Sequence, residues 1–255
     1  MDIFLSLIIF ITGTFFGSFF TLAVYRIPRK EDILIKHSYC PNCNHKLGFF
    51  DLFPILSYVF LKGKCRYCNN KIRPRYLILE VFTGFTFLLI AISINIQVYN
   101  INNVINLIAL IIYVSILFII AGIDKEKIYI QKNVIAVGYV AEILYIIYQC
   151  TLQNINVYQY VMYLILLIII LLLSIIILKI TKKDKYYIGI LHLMLFMTIF
   201  NGSQIFILTS VVTLLLISIT TLLFKKYKKI PIGFYLVISN IFVVIVSNIL
   251  INYVI

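Results

Sequence analysis

Residues 40–68 read CPNCNHKLGFFDLFPILSYVFLKGKCRYC. The stretch opens with Cys40-Pro-Asn-Cys43 and closes with Cys65-Arg-Tyr-Cys68. Two Cys-x-x-Cys pairs at this spacing supply four thiolates, Cys40, Cys43, Cys65 and Cys68, to one tetrahedral Zn2+. Four protein ligands leave no open position, so the metal's role is structural. In a reducing compartment the thiols bind metal rather than pair as disulfides. The plainer alternatives are a loop that folds without metal, or thiols that are occasional redox targets. His37 and His45 flank the first pair as candidate substitute ligands. The fifth cysteine, Cys150, stands alone and reads as a small apolar residue.

Outward from this stretch, the loop 26–75 is the one sizeable polar module. It holds Pro28, Pro41, Pro54 and Pro74, which favour irregular structure over a long helix. A loop of this length buries little core, so a metal suits it as a staple. The rest of the chain is a string of apolar segments. With 63% of its 255 residues hydrophobic and 12% charged, the chain cannot cover its apolar surface with polar groups in water. A lipid bilayer removes that demand.

Spans are expected near 3–25, 76–94, 104–123, 133–149, 158–179, 187–200, 205–224 and 232–254. The segment 187–200 is short for a hydrocarbon core of ~30 Å: it either starts earlier, at Tyr186 and Tyr187, or is partly sunk in protein. No basic residue precedes the first apolar run, so a retained span is expected there rather than a cleaved signal peptide. Lys and Arg fall in four clusters: between Arg26 and Arg75; at Lys125, Lys127 and Lys132; at Lys179, Lys182, Lys183 and Lys185; and at Lys225, Lys226, Lys228 and Lys229. These clusters follow spans one, three, five and seven, whereas the other connections carry no Lys or Arg. The net charge of +13 is therefore read through the positive-inside rule, not as a nucleic-acid footprint. The expected fold is an all-α integral membrane protein of about eight transmembrane helices, with a cytoplasmic zinc-knuckle loop between helices one and two. Its parts are a first helix (1–25), the zinc loop (26–75) and a seven-helix membrane bundle (76–255). The basic face and zinc loop are placed on the cytoplasmic side of a bacterial cytoplasmic membrane, with both termini outside.

The run Gly17-Ser18-Phe19 through Tyr25-Arg26-Ile27-Pro28, followed by the Cys-x-x-Cys pairs, resembles the type IV prepilin peptidases. Asp51-Leu52-Phe53-Pro54-Ile55-Leu56-Ser57-Tyr58, then Gly63-Lys64-Cys65, looks like that family's central loop. Arg75-Tyr76 leading to Glu80 is similar to the family as well, as is Ile230-Pro231-Ile232-Gly233-Phe234-Tyr235-Leu236 before the last span. The resemblance implies a membrane aspartyl leader peptidase acting on type IV prepilins or pseudopilins. It also implies N-methylation of the new N-terminus with S-adenosylmethionine. By resemblance the zinc loop and residues 17–28 accompany the methyltransferase activity. No glycine-rich nucleotide fingerprint is present, and no S-adenosylmethionine ligand can be named.

Aspartyl chemistry needs two carboxylates sharing a proton, one activating water and one polarising the scissile carbonyl. Nine acidic residues keep the search short. Asp124, in Ala121-Gly122-Ile123-Asp124 at the end of span three, matches the family's first catalytic position. Asp184, before span six on the same face, is the candidate second acid. A solvated acid beside lysines is the plainer reading of each. The family's Gly-x-Gly before the second acid is missing here, where Thr181, Lys182 and Lys183 precede Asp184. A shifted alignment reads Gly189-Ile190-Leu191-His192 and puts His192 in the acid's place. That alignment would make the chain a degenerate, non-catalytic homologue, a zinc-bearing membrane scaffold for pilin-like proteins. Glu142, costly in lipid, is expected to face the bundle interior without a catalytic role. Glu80 is expected to pair with a loop Arg or Lys, or to contact substrate. A transporter is the remaining class, and neither charged pathways nor an inverted repeat support it.

Overall fold

Helix is the only regular structure of more than an isolated bridge among the residues described by the computed structural model, which are 2–33, 35, 37–152, 158, 161–162, 165, 168–169, 185–223 and 230–254. α1 (Ile3–Arg26) runs until Pro28 forces a 3-10 turn, Ile27–Arg29, closed by Lys30 in the left-handed region (φ 57°). A short α2 (Leu56–Phe60) lies within the knuckle loop. α3 (Arg75–Ser93) starts directly after Pro74, whose fixed φ suits a helix entry. α4 (Ile101–Lys127) is capped by the Asn100 side chain, which accepts from the amides of Asn102 and Asn103. Lys125 and Lys127 occupy its last turn, where the helix dipole favours cations. α5 is Lys132–Thr151, α6 is Lys185–Leu223 and α7 is Ile232–Ile249, the last extended by a π-helical turn, Leu250–Val254.

Six helices among the described residues are long and apolar enough to cross a membrane. Five of them match expected spans one to four and eight. The sixth, α6, is two helical stretches that meet at Gly202, before it ~26 Å and after it ~32 Å long, each about the length of a span. It holds both expected spans 187–200 and 205–224. The connection expected over 201–204 is narrowed to one non-helical residue, Gly202 (φ 81°, ψ 164°), a conformation open to glycine and strained for others. The span expected over 158–179 lies almost wholly outside the described residues.

The chain divides into two compact units, Met1–Leu107 and Ile108–Ile255, with the boundary inside α4. In the first, α1 and α3 touch backbone to backbone. A Cβ added to Gly13 would lie 2.8 Å from the Gly84 Cα, and one added to Gly17 would lie 2.7 Å from the Glu80 Cα. Small residues four apart on one helix permit this approach, which drives packing where lipid gives no hydrophobic contrast. In the second unit a closed polar chain ties the helices. Asn201 Nδ2 donates to Tyr113 Oη (2.7 Å), Tyr113 donates to Asn240 Oδ1 (2.8 Å), and Asn240 Nδ2 donates to Thr209 Oγ1 (3.2 Å). All four residues sit in helices, so the chain satisfies buried polar groups that lipid could not.

Candidate functional site

Each Cys-x-x-Cys pair is bent by the same turn. In the first, Cys40 N donates to His45 O and Asn44 N to Cys40 O, with Asn44 left-handed (φ 56°). In the second, Cys65 N donates to Asn70 O and Asn69 N to Cys65 O, with Asn69 at φ 58°. Single antiparallel bridges, Tyr39 to Lys46 and Lys64 to Lys71, close the two turns. The underlying repeat is Cys-x-x-Cys-Asn-x-Lys, in which asparagine tolerates the left-handed step at the turn.

The two turns bring the Sγ atoms of Cys40, Cys43, Cys65 and Cys68 within 4.8 Å of one another. Cys40 Sγ and Cys68 Sγ are 3.9 Å apart. Zn–S bonds of ~2.3 Å at tetrahedral angles give an S···S edge of ~3.8 Å, so the cluster fits a metal of that kind. Burial works to raise the Cys40 thiol, but the amides of Cys43 and Asn42 and the neighbouring sulfurs bring it down to about 7. At Cys68 the Asn70 amide acts to lower the thiol, yet burial and the other sulfurs push it up to about 11. Crowded sulfurs thus share protons until a cation replaces them. The imidazoles of His37 and His45 are not in the cluster. His37 gives its carbonyl to Arg26, and the His45 ring lies on Tyr67, 3.6 Å between centroids.

Two further groups hold the knuckle. Arg26, 2% exposed at the end of α1, donates to the carbonyls of Asp32 (3.0 Å) and His37 (2.8 Å). Asp51 accepts from Arg66 Nε (2.6 Å), the Gly48 amide (3.1 Å) and Tyr67 Oη (3.2 Å). Burial works to raise its carboxyl, but Arg66 and the Gly48 amide hold it below the usual carboxylate range. Under the knuckle lies a cavity of about 230 Å³, with Cys65 at one side, tyrosines 25, 58 and 76 in its walls, and Ser18 and Glu80 at its α1–α3 side. Glu80 makes no ion pair with a loop cation among the described residues. It accepts from the Ile55 amide (2.8 Å), holding a tight turn in which Leu56 N donates to Pro54 O.

The second unit holds Asp124. Its carboxylate, fully buried where α4 ends, accepts at Oδ2 from the Phe234 amide in the first turn of α7 (2.9 Å) and from Tyr186 Oη at the start of α6 (3.3 Å). Tyr186 Oη accepts in turn from the Ile232 amide (2.9 Å). Anions are favoured at a helix N-terminus. A Cβ on Gly233 would stand 3.0 Å from Oδ2, so glycine there lets the carboxylate in. Lys125 Nζ lies 4.3 Å over the Phe234 ring and fastens the same junction. The other oxygen, Asp124 Oδ1, has no hydrogen-bond partner among the described residues.

Asp184 lies outside the described residues. His192 is buried, its carbonyl accepts from Tyr139 Oη (2.9 Å), and no hydrogen bond joins it to Asp124. Glu142 faces inward as expected. It is 3% exposed, beside a cavity of about 30 Å³ shared with Tyr113. Cys150 packs on the apolar cluster of Ile146, Leu195 and Ile199. From the sequence Tyr186 was read only as a span start and Phe234 only as part of the run before the last span, neither as a partner of Asp124. The one signal was the Ile-Pro-x-Gly run, whose glycine turns out to face the carboxylate.

Residues 11–94 match the family model described as the bacterial peptidase A24 N-terminal domain. The prepilin leader peptidase/N-methyltransferase of Klebsiella pneumoniae is 32% identical over 124 residues, covering 46% of this chain and 51% of the relative. That of Bacillus subtilis is 33% identical over 128 residues, covering 50% and 49%. That of Vibrio cholerae is 40% identical over 79 residues, covering 28% and 31%. The chain thus spans about half or less of the length of these relatives. No solved structure matches. The resemblance to the prepilin peptidase family read from the motifs is borne out by these comparisons.

Proposed function

We propose that this chain is a membrane aspartyl leader peptidase that cuts type IV prepilins or pseudopilins at the cytoplasmic membrane face and then N-methylates the new terminus. The observation that carries the first activity is the Asp124 carboxylate, buried where three helix ends meet. One oxygen is held by an amide and a hydroxyl, and the other is left for a further partner. In the proposed chemistry Asp184 is that second carboxyl group. Two close carboxylates do not both ionise, so the pair shares a proton. The ionised member takes a proton from water, the water oxygen attacks the scissile carbonyl carbon, and the protonated member donates to the carbonyl oxygen. Collapse breaks the C–N bond and returns a proton to the leaving amine. Chain connectivity supports the pairing. Asp184 stands two residues before Tyr186 in the sequence, and the Tyr186 hydroxyl donates to Asp124.

For methyl transfer the cavity under the knuckle is the proposed site. S-adenosylmethionine, when bound, supplies an electrophilic methyl group. This chain offers the Glu80 carboxylate and the Tyr25, Tyr58 and Tyr76 rings, groups that attract a cation such as a sulfonium or the substrate's N-terminal ammonium. The Cys40, Cys43, Cys65 and Cys68 thiolates hold Zn2+ as a structural staple on this site. A prepilin processed in membranes by the wild type, and left uncut by Asp124→Asn and by Asp184→Asn at equal expression, is the expected result. Normal processing by either variant removes that residue from the dyad. A wild-type protein that captures precursor without cutting it would favour the scaffold reading.

A further inference from the structure

The segment between the two knuckles has an exposed face that water does not explain. Phe49, Phe50 and Phe60 are 70%, 77% and 79% exposed, and Leu56 and Val59 are exposed beside them. The one charged residue of 48–61 is Asp51, and its side chain is turned inward to Arg66, leaving 6% of it accessible. We propose that residues 48–61 dip into the bilayer, with this phenylalanine face covered by the acyl chains around α1 and α3. The inference rests on those two helices crossing the membrane, not on the peptidase reading.

Depth is the first argument. α1 has 24 residues, ~36 Å, a little longer than a hydrocarbon core of ~30 Å. Along its axis Gly17 lies about 14 Å, and Phe15 about 16 Å, from the basic end at Arg26. The loop touches the helices at these levels. The Ile55 amide bonds the side chain of Glu80, whose Cα lies against Gly17, and the Phe53 ring packs edge-on to Phe15 with centroids 5.3 Å apart. A loop confined to the aqueous side would end near Arg26.

Backbone satisfaction is the second argument. Irregular chain at membrane depth needs its polar groups met within the protein. The amides of Asp51, Leu52, Leu56, Ser57, Val59 and Leu61 all donate to carbonyls of this segment, and that of Ile55 donates to Glu80. Charge placement is the third. Exposed Lys46, Lys62 and Lys64 stand at the two ends of the apolar face, where ammonium groups meet anionic headgroups. Buried in this way, the segment closes the cavity beside Glu80 against lipid.

The chain contains no tryptophan, so one introduced indole reports one position. Phe50→Trp and Phe60→Trp, in the full-length protein reconstituted in phosphatidylcholine/phosphatidylglycerol vesicles, are expected to emit at short wavelength. They should lose most of that emission when the acyl chains are brominated, and little to aqueous iodide. Phe85→Trp, on an exposed face of α3, should behave alike, and Tyr67→Trp, on the second knuckle, should show the reverse. Should Phe50→Trp misfold, Phe60→Trp carries the test alone. Quenching by iodide and not by brominated lipid at 50 and 60, with Phe85→Trp still quenched by lipid, overturns the proposal and spares the span. Protection from both quenchers also overturns it, because a second copy or another protein would then be the cover. Failure of Phe85→Trp to sense lipid would remove the span and the proposal together.

Discussion

The thiol cluster and the Asp124 carboxylate are built on opposite plans. The cluster draws every ligand from residues 40–68, and each half is cinched by its own short turn. The carboxylate site is gathered from the end of α4, the start of α6 and the start of α7, with the Phe234 amide 110 residues from its acceptor. A local site needs little of the fold to hold its geometry, and a metal adds the rest. An assembled site has no geometry until the helices pack. Damage to one should therefore leave the other standing, and that independence can be broken experimentally.

The largest separation is expected from Asp124→Asn. Leader cleavage should fall by about 10²–10⁴-fold, the range for losing an acid–base group, while zinc content stays level. Parallel loss of zinc, read by metal analysis, would join the two regions. Next, Cys65→Ser should take the metal from about one ion per chain to almost none, because three thiolates no longer close a structural site. Methyl transfer should suffer more than cleavage when both are followed on one substrate. A smaller effect is expected at the assembled site from Tyr186→Phe. The Ile232 amide loses its acceptor and Asp124 loses a donor, a cost of about 1–3 kcal/mol seen as a lower Tm in detergent, with slower cleavage.

The smallest effect is expected from Asp51→Asn in the knuckle, about 1 kcal/mol or less, because its partner Arg66 is half exposed. Its pH dependence has a definite sign. The folded carboxyl lies below its ordinary value, so the Asp51 contribution is complete above about pH 4 and fades as pH falls through the lowered folded value. Resistance of the loop to proteolysis should differ between wild type and variant at neutral pH, and the difference should close in acid.

The same contrast explains what was readable in the sequence. Four cysteines in two spaced pairs declare their chemistry by residue type. Asp124 stood out because Ala121-Gly122-Ile123-Asp124, at the end of an apolar run, resembles the family's first acid position. Its partners were not, because a backbone amide has no side-chain signature and Tyr186 at a span end reads as an ordinary interfacial aromatic. Asp184, the proposed second acid, falls outside the described residues. The connection between the sixth and seventh spans was legible from Asn201, Gly202, Ser203 and Gln204, but not that helix continues up to Gly202 on both sides. Glu80 was given a loop cation or the substrate as its partner, whereas the Ile55 amide in a tight turn was the nearer demand.

The bare contact between α1 and α3 has a consequence for traffic in the membrane. At Gly13 and Gly17 no layer of side chains separates the two helices, so no side-chain rotation there can open a gap. A guest helix entering there would have to part the two backbones themselves, so the flanks of the pair are the readier place to receive one.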